Sequence, residues 1–188
     1  MPGFGSGASL ASGSDQDLML RFLFRRLTDA DAAGARLFSF ATSEARQAHW
    51  YLDGGVPDTI DGRFRVLATI LALSLVRLER SGDEGIKVSV TLTERFIDVM
   101  ESEHRELGLG DPKLGRTVRK LVGALSRRVE LLRDRTPASK DWTEAVRNCL
   151  YSDEAASAAL QHSSTALQRL HDRLTTAPDR ALLEGTIA

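Results

Sequence analysis

Glu101 and His104 are the residues whose spacing comes closest to that of a metal site. On a helix, a Glu-x-x-His pair places a carboxylate and an imidazole on one face, which is the ligand pattern of di-iron helical bundles. Such a centre needs a second copy of the pair. The residues three positions before the other histidines, His49, His162 and His171, are Arg46, Ala159 and Gln168. The sequence therefore predicts no metal site and a solvated Glu101/His104 pair.

Cys149 is a second candidate for chemistry, as a nucleophile activated by a distant histidine. It follows Val146 by three positions and precedes Leu150 in an amphipathic pattern, which is typical of a buried core thiol. As the only cysteine, it excludes an intramolecular disulfide and any metal site that needs several thiolates. Asp58 and Asp61 could form an acid/base couple, but their place at a helix start favours capping and interaction with the helix dipole.

Sequence motifs of common catalytic and nucleotide-binding sites do not occur in the chain. It contains no His-Glu-x-x-His, no Gly-x-x-x-x-Gly-Lys-Ser/Thr and no Gly-x-Ser-x-Gly. We therefore predict a non-enzymatic protein with no catalytic, cofactor-binding or metal-binding residues and no cofactor. An enzyme whose site is assembled from scattered residues and a plain structural scaffold remain as alternatives.

Composition narrows the class of protein further. The 188 residues include 25 basic and 26 acidic side chains, and this net charge of −1 argues against a chain that coats DNA or RNA along its whole length. A charged fraction of 27% argues against an integral membrane protein. Aromatic residues make up only 6%, which favours packed helices over sheets. The first residues lack the basic and apolar regions of a secretory signal, so we expect a cytoplasmic location.

The N-terminal residues divide into two predicted parts. Residues 1–16 are rich in Gly and Ser and predict a flexible tail. Residues 17–28 predict a short basic amphipathic helix, with Leu20, Leu23, Phe24 and Leu27 on one stripe. The candidate membrane-interface residues of this helix are Arg21, Phe24, Arg25 and Arg26. Packing of its Leu and Phe side chains on the rest of the protein is the alternative.

A helix that is apolar on nearly all sides is predicted over residues 64–78, where eleven of fifteen residues are apolar. This stretch is shorter than the roughly 20 residues of a membrane span, so we expect it at the centre of a bundle. Further helices are predicted over residues 30–48, 87–107, 113–135, 141–151 and 153–176. The predicted fold is all-α, a single compact multi-helix bundle over residues 17–188, built around the apolar central helix.

Charge is concentrated on the helix predicted between Lys113 and Arg135. It carries eight basic and two acidic residues, a net charge of +6, in a chain of net charge −1. Lys113, Lys120 and Arg127 recur every seven residues, with Arg116 on the same side and the apolar stripe roughly opposite. This basic face is either a solvated outer surface or a docking site for something anionic, such as ribosomal RNA, acidic lipid headgroups or an acidic loop of a client protein.

Three stretches resemble the ubiquinol-cytochrome c chaperone family. They are residues 55–64 (GVPDTIDGRF), residues 103–111 (EHRELGLGD) and, downstream, residues 115–120 (GRTVRK). The similarity covers roughly residues 30–152, and separated motifs in the right order are more specific than any one alone. The sequence departs from the family pattern at residues 124–127, where Ala-Leu-Ser-Arg stands in place of aromatic residues before a Gly-Arg.

The resemblance implies an all-helical, non-enzymatic assembly factor for the cytochrome bc1 complex. Its client would be newly made cytochrome b, and its further partners the ribosome and a small accessory assembly protein. The basic residues add an anionic membrane surface as a partner, where the protein would be peripheral on the cytoplasmic face. The candidate partner-binding residues are Arg63, Arg65, Arg116, Arg119, Lys120 and Arg127. A ribosome- or RNA-associated helical docking protein without a respiratory client is the main alternative.

Overall fold

The fold is taken from a computed structural model, which describes residues 30–106 and 111–187. The predicted tail over residues 1–16 and the predicted basic helix over residues 17–28 lie outside the described residues. Leu107, the last residue of the helix predicted over residues 87–107, lies outside them as well.

The described residues form helices joined by short connections, with no strand among them. The helices are α1 (residues 30–45), α2 (Ile60–Leu78), α3 (Gly82–Glu106), α4 (Asp111–Arg133), α5 (Trp142–Leu150), α6 (Ser157–Thr176) and α7 (Asp179–Glu184), with 3-10 turns at Ala48–Trp50 and Glu79–Ser81. The predicted all-α class is therefore confirmed. The second helix of the prediction, residues 30–48, ends three residues early as α1, and α3 begins five residues before the predicted start at residue 87.

Helix α2 is the centre of the bundle, as its apolar composition predicts. It packs against α3, α4, α5 and α6, and it buries Val66, Ile70 and Leu71 completely. Two polar side chains, Thr69 and Ser74, are also buried in it. Each donates its hydroxyl to the carbonyl oxygen four residues earlier, so neither leaves an unsatisfied donor in the core.

The start of α2 differs from the prediction in its capping residue. Thr59, not Asp58, is the N-cap, and its hydroxyl oxygen accepts a hydrogen bond from the backbone N–H of Gly62. Asp58 instead accepts two hydrogen bonds from Arg63, at 2.6 and 3.2 Å. The charged partner within reach explains the difference, because an arginine satisfies a carboxylate better than a single backbone donor does. Asp61 does place its negative charge in the first turn, as predicted.

The chain reverses direction after α2 through the 3-10 turn Glu79–Ser81 and Gly82. Gly82 has φ = +64°, in the left-handed region that glycine adopts without steric cost. Helix α2 ends at Leu78, the last residue of the predicted apolar stretch, and α3 folds back beside it.

Helix α4 buries the stripe that its periodicity predicts. Leu114, Val118, Leu125 and Leu132 are buried. The remaining members, Leu121, Val122 and Val129, are half-buried and pack against the core. The opposite face of α4 is consequently free to carry charge. Within the described part of the chain, no helix has both the length and the apolar character needed to cross a bilayer.

Candidate partner-binding surface on helix α4

The structure separates the eight basic residues between Lys113 and Arg135 into two groups. The first group is structural and consists of Arg128, Arg133 and Arg135. Arg133 and Arg135 hold neighbouring elements through ion pairs. Arg133 donates to both carboxylate oxygens of Glu79, at 2.9 and 2.7 Å, which fastens α4 to the turn after α2. Arg135 donates to Asp141 at 2.6 Å, just before α5. Their charges are matched within the protein and add little to a docking surface.

Arg128 is the third structural arginine and is 9% exposed. Its guanidinium donates two hydrogen bonds to the carbonyl oxygen of Cys149, at 3.1 and 2.7 Å, and one to that of Ala124 at 2.9 Å. It also lies over the ring of Phe64, 5.8 Å from the ring centroid. Burial lowers the pKa of Arg128, because desolvation disfavours the charged form. This residue joins α4 to the last turn of α5 and to the start of α2.

The other five basic residues form an exposed surface, which we call the α4 basic face. Its members are Lys113, Arg116, Arg119, Lys120 and Arg127. No carboxylate of the described residues lies within 4.0 Å of any of them. A helix face with five cations that lack a carboxylate partner among the described residues, in a chain of net charge −1, is a local concentration of positive potential. Four of the six candidate partner-binding residues belong to it.

Arg63 and Arg65, the other two candidates, lie at the start of α2 and are already paired. Arg63 is held by Asp58 and lies over the ring of Tyr51, 5.7 Å from the ring centroid. The Arg63 guanidinium lowers the pKa of Asp58, so that carboxylate stays ionised. Arg65 is held by Asp61 at 2.6 Å. We therefore expect both to contribute less to partner binding than the α4 basic face.

The candidate partner-binding residues of α2 and those of α4 come together at Arg128. Arg65 from α2 and Arg127 from α4 are both close enough to Arg128 that their positive charges help to lower its pKa, after the larger effect of burial. Arg116, Arg119 and Lys120 lie further along α4, on the order of 10 to 17 Å from Arg127 by the helical rise. The candidate residues thus form a strip along α4 that reaches the entry of α2.

The residues considered for catalysis do not assemble into a site. The Nδ1 atom of His104 lies 2.8 Å from the carbonyl oxygen of Met100, within its own helix. Among the described residues, no group of three or more His, Cys, Asp or Glu side chains is placed to hold a metal ion. Cys149 is fully buried, and burial raises the pKa of its thiol to about 11. This burial confirms the prediction of a core thiol. A thiol with a pKa of about 11 is protonated at neutral pH.

The raised pKa of Cys149 predicts a loss of stability at alkaline pH. The unfolded thiol has the ordinary pKa of 9.0, so the folded state keeps its proton to higher pH than the unfolded state does. The stabilisation is complete below about pH 9 and is lost as pH rises towards about 11. We expect the free energy of unfolding to fall by up to about 1.4 kcal/mol per pH unit in this window. The free energy of unfolding, measured by urea titration at each pH, should fall less steeply with pH for Cys149→Ala than for the wild type. An equal dependence on pH in the two proteins would contradict the raised pKa of Cys149.

Two features of the surface were not predicted from the sequence. The first is a pair of histidines, in which Nδ1 of His49 lies 3.1 Å from Nε2 of His162 and joins the 3-10 turn Ala48–Trp50 to α6. Burial, followed by the nearby His162, lowers the pKa of His49. These residues are 113 positions apart, and no spacing pattern connects them.

The second feature is an open apolar groove beside α3, in which Ile86 and Val90 are exposed. A signal for it exists in the sequence, because Ile86, Val90 and Ile97 form a second apolar stripe on a helix whose core stripe is Leu92, Phe96 and Met100. A helix with two apolar stripes has more apolar surface than one bundle contact covers.

Comparison with known proteins agrees with the helical architecture. A family model described as Ubiquinol-cytochrome C chaperone matches residues 52–188, which include α2 to α7. A solved structure, described as the crystal structure of the Cbp3 homolog from Brucella abortus, is similar with a TM-score of 0.74 and 24% sequence identity. The similarity covers 90% of this chain and 95% of that chain, which establishes a shared fold. No curated protein matches the chain.

Proposed function

Because the chain belongs to the ubiquinol-cytochrome c chaperone family, we propose that it binds newly made cytochrome b during assembly of the cytochrome bc1 complex. The role is non-enzymatic. The observation that carries the proposal is the family match over residues 52–188, which spans the whole of α4 and both groups of candidate partner-binding residues. The client and the small accessory assembly protein are the partners that such a role requires.

The α4 basic face is the surface through which the protein reaches the place where its client is made. Cytoplasmic loops of membrane proteins carry an excess of Lys and Arg, so a basic surface repels such loops more often than it binds them. Ribosomal RNA and acidic lipid headgroups are anionic, and both lie where a membrane subunit is synthesised and inserted. We therefore place the protein in the cytoplasm, docked peripherally at the inner membrane or at the ribosome through Arg116, Arg119, Lys120 and Arg127.

Reversing four charges tests this surface. In a deletion strain complemented with R116E/R119E/K120E/R127E, we expect cytochrome b haem absorbance to fall towards the level of the deletion strain. Association with vesicles that contain phosphatidylglycerol, or with purified ribosomes, should fall at least about tenfold, because the exposed contacts are electrostatic. The matched control is R46E/R80E/K140E/R169E, which makes the same charge change at four exposed positions outside the α4 basic face. It should behave like the wild type.

The outcomes test the docking role of the α4 basic face and the proposed client separately. If the α4 variant supports normal haem levels and binds vesicles and ribosomes like the control, the α4 basic face has no docking role. If deletion of the gene leaves cytochrome b haem unchanged, the proposed client is wrong. Added salt should weaken the association, and binding that does not respond to salt would remove the electrostatic explanation.

The α4 basic face also favours a second function, that of a ribosome- or RNA-associated docking protein without a respiratory client. It predicts nuclease-sensitive association with ribosomes together with intact bc1 levels after gene deletion. The haem measurement in the deletion strain therefore decides between the two.

A further inference from the structure

The apolar groove beside α3 is a surface to which neither the family match nor the α4 basic face assigns a role. It has a volume of about 440 Å³, and its apolar lining consists of Leu75 of α2, Ile86 and Val90 of α3 and Val129 of α4. Ile86 is 57% exposed and Val90 is 50% exposed. Two large aliphatic side chains that are exposed one turn apart on a helix are typical of a docking site.

Carboxylates lie on both walls of this groove. Glu94 of α3 lines it directly. Asp83 is on the same side of α3, seven residues before Val90, and Glu130 directly follows Val129 on α4. All three carboxylates are exposed, and none has a basic partner within 4.0 Å among the described residues.

Two basic residues near the groove are paired within the protein. Glu79, which also lines the groove, is bound by Arg133. Lys87, which follows Ile86 on α3, donates to Glu84 at 2.9 Å. The charges of these pairs cancel locally, so the three carboxylates on the walls give the groove a negative surrounding. The groove therefore suits a segment that combines apolar side chains with lysine or arginine.

The groove and the α4 basic face lie on opposite sides of α4. Lys120 of the basic face is nine residues, or two and a half turns, before Val129, which lines the groove. Arg127 is two residues before Val129 and therefore lies on nearly the same side of the helix as Lys120. Docking of the basic face to an anionic surface consequently leaves the groove open.

We propose that the groove binds a cytoplasmic segment of the client, next to one of its transmembrane helices; this rests on the proposed function, in which the client is a membrane protein. Cytoplasmic segments of membrane proteins are enriched in Lys and Arg close to the ends of their transmembrane helices, where these residues adjoin apolar ones. Such a segment supplies apolar side chains for Ile86 and Val90 and cations for Asp83, Glu94 and Glu130. The client is then held on α3 while the α4 basic face holds the protein at the membrane or the ribosome.

Other occupants match the groove less well. Acidic lipid headgroups would be repelled by the three carboxylates. The α4 basic face of a second copy offers cations, but α4 has no exposed large aliphatic side chain among the described residues. A client segment that contains both kinds of residue matches the apolar lining and the charged walls together.

Peptide binding to the purified full-length chain tests the proposal. The probes are fluorescently labelled peptides that cover each cytoplasmic loop of cytochrome b together with the adjoining ends of its transmembrane helices. We expect at least one to bind, and we expect I86S/V90S to weaken that binding at least about tenfold, because the apolar contact is lost. The matched control is L52S/I60S, which removes two exposed aliphatic side chains outside the groove and should bind like the wild type.

Charge reversal on the two walls provides a second test. E94K/E130K should also weaken binding of that peptide at least about tenfold at low ionic strength, and added salt should reduce the difference from the wild type. The control is E103K/E106K, which makes the same charge change at exposed positions on another side of α3 and should weaken binding less than about twofold. Because both variants change the net charge equally, a difference between them reports on the groove itself.

Four results would overturn the proposal. If I86S/V90S binds every peptide as the wild type does, or if no peptide binds to the wild type, the groove is not the client site. The proposed function still stands in these cases when gene deletion removes cytochrome b haem. If deletion leaves the haem unchanged, the proposed client is wrong and the groove has no client to bind. Self-association of the wild type that I86S/V90S abolishes, measured by analytical ultracentrifugation, would identify a second copy as the occupant.

Discussion

Replacing Gly62 with alanine is expected to lower the free energy of unfolding by about 3 kcal/mol. A Cβ atom at this position would lie 1.9 Å from the carbonyl oxygen of Pro57 and 3.0 Å from its carbonyl carbon. Both atoms belong to the backbone, so the clash is relieved only if the loop before α2 moves away from the helix. Overpacking that forces a backbone shift typically costs about 1–3 kcal/mol, and a contact this short belongs at the upper end.

Gly115 provides the matched control for this change. It also lies within a helix, α4, but a Cβ atom there would have no neighbour within 4 Å. Gly115→Ala should therefore stabilise the protein by about 0.5–1 kcal/mol, because alanine loses less backbone entropy in a helix. Urea unfolding followed by circular dichroism measures both. Equal effects of the two substitutions would show that the loop does not pack against α2 as described.

The second large effect is expected from Arg128→Met. The substitution removes three hydrogen bonds, and it leaves the carbonyl oxygen of Cys149 without this donor in a buried position. Methionine avoids the cost of burying a charge, which offsets part of the loss. Because a buried acceptor without a donor costs about 1–3 kcal/mol, we expect a net destabilisation of about 2–3 kcal/mol.

Arg127→Met is the control for Arg128→Met, one residue away on the same helix. Arg127 is exposed and has no carboxylate partner among the described residues, so its loss should change the free energy of unfolding by less than about 0.5 kcal/mol. In the docking assay the order should reverse, with Arg127→Met the more harmful. If the two variants were equally stable, Arg128 would not have the structural role assigned to it.

Much of the fold follows from periodicity and composition. The central position of α2 is predicted by residues 64–78, which are apolar on nearly all sides of the helix but too few to span a membrane. The stripe on α4 and the burial of Cys149 follow from helical spacing in the same way. Family membership was predicted from motifs in residues 55–64, 103–111 and 115–120, and is confirmed by a match over residues 52–188.

The basic residues of α4 show what spacing cannot decide. Arg127 and Arg128 are neighbours with the same side chain, yet one is exposed and the other is buried against Cys149. Arg133 looks like part of the same charged run but is paired with Glu79, 54 residues away. Their roles depend on which helix packs beside α4, and this information is not local. The same reason explains why the contact between His49 and His162 was missed.

The sharp reversal of the chain at Gly82 has a consequence for how the protein folds during its synthesis. Since α2 packs against α3 and α4, the two helices that directly follow it, the middle of the core is built from segments close together in sequence. Contacts of this kind form quickly during folding because little chain entropy is lost in closing short loops. A three-helix unit can therefore assemble while the C-terminal helices are still being translated, so the core begins to form before synthesis of the chain is complete.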